Sequence, residues 1–206
     1  MARFCHLRLS EPTETDLAAF LPSPRHALSL LRAADPLSLA SLSFAFAGYK
    51  RLCDVLLPEL RSRSHLYNLI YRHRSNYSLV LREGETTLGG ATFRLILDTC
   101  PSPPLLMLEV LLLAVDQREG VCGRGHGTRL VNAMKSLALR HAREHAATPS
   151  LLTQSDLGLP ARCFWGRQGL VEGGRASDAV CALHEWQQSN PSHWLAVECL
   201  WLGMLT

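Results

Sequence analysis

Few residues of this 206-residue chain have types and spacings suited to chemistry, and the densest group lies between Met107 and Thr128. Glu109 is the one carboxylate in the apolar run Met107 to Val115. Among Met107, Leu108, Val110 and Leu111 it is expected to be desolvated, which raises a carboxylate pKa towards the range of a base working near neutral pH. Two plainer roles compete: a side chain leaving at a sheet edge, or a partner for a nearby arginine such as Arg94. Soon after comes Cys122-Gly123-Arg124-Gly125-His126-Gly127-Thr128. Glycines here remove the Cβ atoms that would keep a ligand off the backbone and permit positive φ, which gathers N–H groups into one concavity. A helical pattern follows directly, so its first N–H groups and positive dipole end add to a site for an anion.

Two other groups invite chemistry less well. His141-Ala-Arg-Glu144-His145 spells a zinc-protease spacing, but it sits at the polar end of a helix beside Arg140 and Arg143, where histidines have an ordinary electrostatic explanation. Only Glu198 offers a distant third ligand, and no metal is expected. Cys122 and Cys163 lack the histidine and oxyanion-hole pattern of a nucleophile.

The loop resembles the acyl-CoA pyrophosphate loop of the GNAT acetyltransferases, whose pattern is Gln or Arg, two residues, Gly, one residue, Gly or Ala. Its neighbours sharpen the likeness. Glu109-Val-Leu-Leu-Leu-Ala-Val is similar to the strand that carries the general-base glutamate in PCAF-type histone acetyltransferases. Leu88-Gly-Gly-Ala-Thr-Phe-Arg resembles their Val-Gly-Gly-Ile-Thr-Tyr-Arg strand, and Phe164-Trp-Gly-Arg-Gln-Gly-Leu their Tyr-Phe-Lys-Lys-Gln-Gly-Phe element. Order and spacing agree from about Phe46 to Leu170.

That resemblance implies an α/β GNAT fold, a mixed and mostly antiparallel central sheet flanked by helices, as one domain over residues 1–206. It implies acetyl-CoA as cosubstrate, Glu109 as general base, and acetyl transfer to an amine, with a histone-like protein lysine as the first acceptor and adaptor proteins as the route to chromatin. A small amine or a protein N-terminus is the rival acceptor, and a CoA-binding or partner-binding module without turnover is the rival class. The pantetheine arm would meet the backbone of Leu113, Ala114 and Val115, the pyrophosphate would meet Cys122, Gly123, Arg124, Gly125, His126, Gly127 and Thr128, and Ala161, Phe164 and Trp165 would pack on the pantetheine. Two residues depart from the pattern. Cys122 stands where the family has a strong donor, and Phe164 where many members have a tyrosine that protonates the leaving thiolate.

The elements that must position these residues follow from periodicity. Met107 to Val115 reads as a strand, and Tyr77 to Arg82 with Leu88 to Leu97 as an antiparallel hairpin. Gly89 and Gly90 weaken a strand unless something approaches its backbone closely. Leu130, Val131, Met134, Leu137 and Ala138 form one apolar helical stripe. Leu151 to Gln154 reads as a strand, and Pro160 to Gln168 as a helix with Gly169 past its end. Arg3 to Leu9 suits a first strand, Ala179 to His184 and Trp194 to Leu200 a closing pair. Phe44 to Leu60 and Ser64 to His73 have helical spacing. Glu11 to Pro36 holds four prolines and reads as a loop with a short helix at His26 to Ala33, within a stretch, residues 11–45, that the family pattern lacks.

Composition excludes several classes. A formal charge of +3 with dispersed cations gives no reason to expect nucleic-acid binding, and no run suits a membrane span. Seven cysteines without a Cys-x-x-Cys pair fit neither a disulfide framework nor a zinc module, so the chain reads as reduced and intracellular, nuclear or cytoplasmic.

Overall fold

The computed structural model describes residues 4–9, 17–32, 75–116, 121, 123–155, 159–172 and 199–204. The strands are β1 (Phe4–His6), β2 (His26–Arg32), β3 (Tyr77–Glu83), β4 (Thr86–Asp98), β5 (Leu105–Val115), β6 (Thr148–Ser155), β7 (Val171–Glu172) and β8 (Cys199–Met204). The helices are α1 (His126–Glu144) and α2 (Leu159–Arg167). The sheet has the order β2-β3-β4-β5-β6-β8-β7, with β1 on β4. The β5–β6 ladder is parallel, and the β1–β4, β2–β3, β3–β4, β6–β8 and β7–β8 ladders are antiparallel. This is the mixed, mostly antiparallel sheet expected. The helices predicted at Phe44 to Leu60 and Ser64 to His73, the strand at Ala179 to His184, and Cys122 lie outside the described residues.

Two compact units divide the chain. The first holds Met1–Arg8, Arg94–Val110 and Lys135–Thr206. Its centre is β5 up to Val110, laddered on β6 from Leu105↔Thr148 to Val110↔Thr153. Side chains lock that register: Ser150 Oγ donates to the Leu106 carbonyl at 3.3 Å and Thr153 Oγ1 to the Val110 carbonyl at 3.2 Å. Leu106, Met107 and Leu108 are fully buried, as an apolar run without alternation should be. Lys135 Nζ reaches the Gln168 carbonyl at 2.9 Å, tying α1 to the end of α2.

The second unit holds Leu9–Phe93 and Leu111–Met134. Its hairpin, β3 and the first half of β4, turns through Gly84 at φ 55° and buries Leu79, Val80, Leu81 and Phe93. Gly89 is required here. A Cβ on it would lie 2.7 Å from the Ala114 carbonyl oxygen, a backbone atom with nowhere to go, while Asp116 N–H donates to the Leu88 carbonyl at 2.9 Å. The close approach that the two glycines suggested is the approach of β5 itself.

One expected element is corrected. His26 to Ala33 is not a helix: His26–Arg32 forms β2, paired throughout with β3 from His26↔Glu83 to Arg32↔Tyr77. The reason is tertiary. Seven residues are too few to hold a helix alone, whereas the β3 edge offers unpaired backbone groups, and Arg32 also lies over the Tyr77 ring at 4.5 Å. Part of the stretch read as family-external is therefore sheet.

The two helices end in the same motif with different residues. At α2, Leu170 N–H donates to the Trp165 carbonyl and Gly169 N–H to the Gly166 carbonyl, with Gly169 at φ 83°. At α1, Ala147 N–H donates to the Ala142 carbonyl at 2.8 Å and Ala146 N–H to the Arg143 carbonyl at 3.2 Å, with Ala146 at φ 48°. Both are Schellman caps, but an alanine Cβ is strained in the left-handed region where glycine is not. Ala146→Gly should raise stability by about 1 kcal/mol, seen as a higher urea midpoint with unchanged slope. An unchanged or lower midpoint would show that the cap carries no strain.

Candidate active site

In the first unit, the sheet register sets Glu109 opposite Leu152 on the parallel neighbour β6, and Arg94 stands on β4. Both side chains are buried, at 3% and 2% exposure, and Arg94 Nε donates to Glu109 Oε2 at 2.6 Å. Of the roles open to Glu109, the structure realises the partner of Arg94, and the sheet-edge exit is ruled out by its burial. A charge in this position needs its counter-charge, because neither can be hydrated. Arg94 Nη2 is also buried and has no hydrogen-bond partner, so the guanidinium is only partly satisfied. The carboxylate is thereby oriented, with Oε2 committed to Arg94.

The second unit holds the rest of β5 and the glycine-rich loop. The β6 ladder on β5 stops at Val110, and β5 runs on to Val115. Leu111, Leu112, Leu113 and Val115 are half-buried and Ala114 is buried. Gly123 and Gly125 sit at φ 81° and 78°, and open space surrounds the positions their Cβ atoms would take. Their conformations, not crowding, demand glycine. Gly125 is the helix N-cap: its carbonyl accepts the first helical bond, from Arg129 N–H at 3.0 Å. His126 and Gly127 then begin α1, where N–H groups are left over by the helical ladder. The first turn contains no acidic side chain to occupy the dipole end. Gly123, Arg124, Gly125 and Thr128 are exposed, so an anion has access to this backbone. The apolar stripe behind it is buried as predicted, with Leu130, Val131, Met134 and Ala138 at 0% exposure.

Other predicted residues are placed as follows. Trp165 is buried and Phe164 half-buried, edge to face at a centroid distance of 5.0 Å. Ala161 lies in α2. His141 and Glu144 pair on the last turn of α1: His141 Nδ1 lies 2.8 Å from Glu144 Oε2, and the potential ligand atoms of His141, Glu144 and His145 come within 4.8 Å of one another. Burial holds the His141 pKa below its ordinary value, Glu144 opposing that and Arg140 and His145 adding to it. Glu198 lies outside the described residues.

Two residues went unnoticed in the sequence. His26 approaches His126 with ring centroids 6.2 Å apart, and Ser23 Oγ lies 2.8 Å from His26 Nδ1. No motif signals them, since only the β2–β3 register brings His26 there.

No protein-family model and no curated protein sequence matches the chain. Among solved structures, it superposes on GCN5 of Tetrahymena with a TM-score of 0.52 at 21% identity, over 87% of this chain and 96% of that one. The chain has the GNAT acetyltransferase fold. An acetyltransferase from Streptococcus agalactiae gives a TM-score of 0.50 at 12% identity, over 89% of this chain and 100% of the other. The mixed, mostly antiparallel sheet with its helices is the fold that the GNAT resemblance implied.

The ion pair yields a direct test. Arg94→Met should cost about 3–5 kcal/mol by leaving Glu109 buried without its cation. Adding Glu109→Leu to that variant should restore most of the loss. Equal urea midpoints for Arg94→Met and the wild type would mean the pair is not buried as described.

Proposed function

We propose that the chain is an acetyl-CoA-dependent N-acetyltransferase. The observation that carries this reading is the loop: two left-handed glycines, exposed residues and a helix start with no acidic side chain in its first turn, following strand β5 in the chain, on a GNAT fold. Backbone N–H groups from Gly123 to Thr128 would hold the cofactor pyrophosphate, and Arg124 would supply the charge that Cys122 does not. Beyond Val110, where its β6 ladder has ended, β5 would lend the backbone of Leu113, Ala114 and Val115 to the pantetheine amides as if to an added strand.

A lysine amine has a reference pKa of about 10.4, so it must lose a proton before attacking the thioester carbonyl. Glu109 would take that proton through a water, since its carboxylate is buried, and Arg94 would hold the acceptor in orientation. The tetrahedral oxyanion would then collapse with departure of the CoA thiolate. Phe164 and Trp165 carry no acidic proton to assist, so the thiolate must leave on its own. A protein lysine, histone-like, is the proposed acceptor because the Glu109 strand and the Gly89-Gly90 strand resemble PCAF-type enzymes. Exposed free thiols at Cys5, Cys100 and Cys163 suit a reducing nuclear or cytoplasmic setting.

The Arg94–Glu109 pair favours one second reading, a CoA-binding module in which Glu109 is structural and turnover is weak. Transfer of labelled acetyl to core histones and to a panel of small amines, run with Glu109→Gln from pH 6 to 9, separates the two. The enzyme reading expects labelled histone, a loss of about 10²–10⁴-fold in the variant, and partial recovery at high pH where the amine sheds its own proton. CoA binding without label on any acceptor would select the module.

A further inference from the structure

At the head of α1 lies a histidine pair whose imidazoles the acetyl-transfer chemistry does not use. His126, the first residue of α1, is 4% exposed, and its Nδ1 has no hydrogen-bond partner. His26, at the start of β2, faces it at 6.2 Å with the rings tilted by 36°. The second histidine is held in place: Ser23 Oγ lies 2.8 Å from its Nδ1, and its backbone N–H donates to the Ser23 carbonyl at 3.0 Å. A buried polar atom without a partner calls for an explanation, and an imidazole at a helix start open to anions has one available. Among the described residues, the charged groups acting on His126 are His26 from β2, Arg129 from α1, Arg124 from the loop and Glu83 from β3. The cations outnumber the single acid.

We propose that His126, set against His26, couples occupation of the loop by the cofactor's phosphates to uptake of a proton from solvent. This rests on the reading of the loop as a CoA pyrophosphate site. Without ligand, burial holds the His126 pKa below its ordinary value, with His26, Arg129 and Arg124 adding to the lowering and Glu83 opposing it. The imidazole is therefore neutral near pH 7. An anionic pyrophosphate on the adjacent backbone favours the imidazolium, so the pKa of the bound state is the higher of the two. The sign follows from linkage. Between the free and bound pKa values the complex carries the extra proton, and affinity for CoA rises as pH falls through that window, by at most about tenfold per pH unit for one proton. Above the bound value the dependence disappears.

Calorimetric titration with CoA in buffers of different ionisation enthalpy counts the protons directly, from pH 6 to 8. Dephospho-CoA is titrated in parallel, because a phosphate monoester has a second pKa of about 6 that would add its own proton. The wild type should take up protons with both ligands. His126→Gln should bind with no linked proton on dephospho-CoA. His26→Gln removes a like charge facing His126 and should move the window to higher pH, a second readout should the first variant fold poorly. Equal uptake by wild type and His126→Gln overturns the coupling while leaving the CoA site intact. No CoA binding by the wild type at any pH overturns the loop reading, and the coupling with it.

Discussion

The buried pair of Arg94 and Glu109 is the interaction on which the described part of the first unit depends. Each charge sits on a strand whose neighbours are fully buried, and at 2% and 3% exposure neither has water to fall back on. Their attraction must offset two desolvation penalties, which holds only at short range and in one geometry. A one-residue slip of β5 would turn Glu109 to the opposite face and strand both charges. The side-chain bonds from Ser150 and Thr153 to β5 carbonyls fix the same register from the other side. A polar pair in the core therefore specifies alignment.

In the second unit the governing constraint is backbone conformation. Gly89 lets β5 approach within a distance that any side chain would forbid, and Gly123 and Gly125 take φ values that other residues avoid. From these follow the open loop and the N–H groups at the head of α1, whose apolar stripe anchors the helix in the core. No acidic side chain in its first turn competes for an anion. Gly89 thus answers to the approach of β5, and Gly123 and Gly125 to their own backbone conformations.

Much of this was legible because it is local. The apolar run from Met107 to Val115, broken only at Glu109, the hairpin around Gly84, the stripe of α1, and Gly169 after α2 all signal their structure within a few residues. Glu109 was legible as a residue of consequence, and Arg94 as its partner, but not which of its roles the sheet would realise. That depends on register between strands, which periodicity does not report. β2 was misread for a related reason: His26–Arg32 lacks a pattern of its own and becomes a strand because the β3 edge needs one. With it went His26, whose place beside His126 exists only through that pairing. The helix cap at Ala146 hid likewise, since alanine announces a helix and not its end.

The most direct test of the account is an amide-resolved NMR titration of the ¹⁵N-labelled chain with CoA. The account predicts the largest shifts and slowed exchange at the backbone N–H groups of Gly123, Gly125, His126, Gly127 and Thr128, with smaller ones at Leu113 and Val115. Saturable CoA binding that leaves those loop amides unmoved would contradict it.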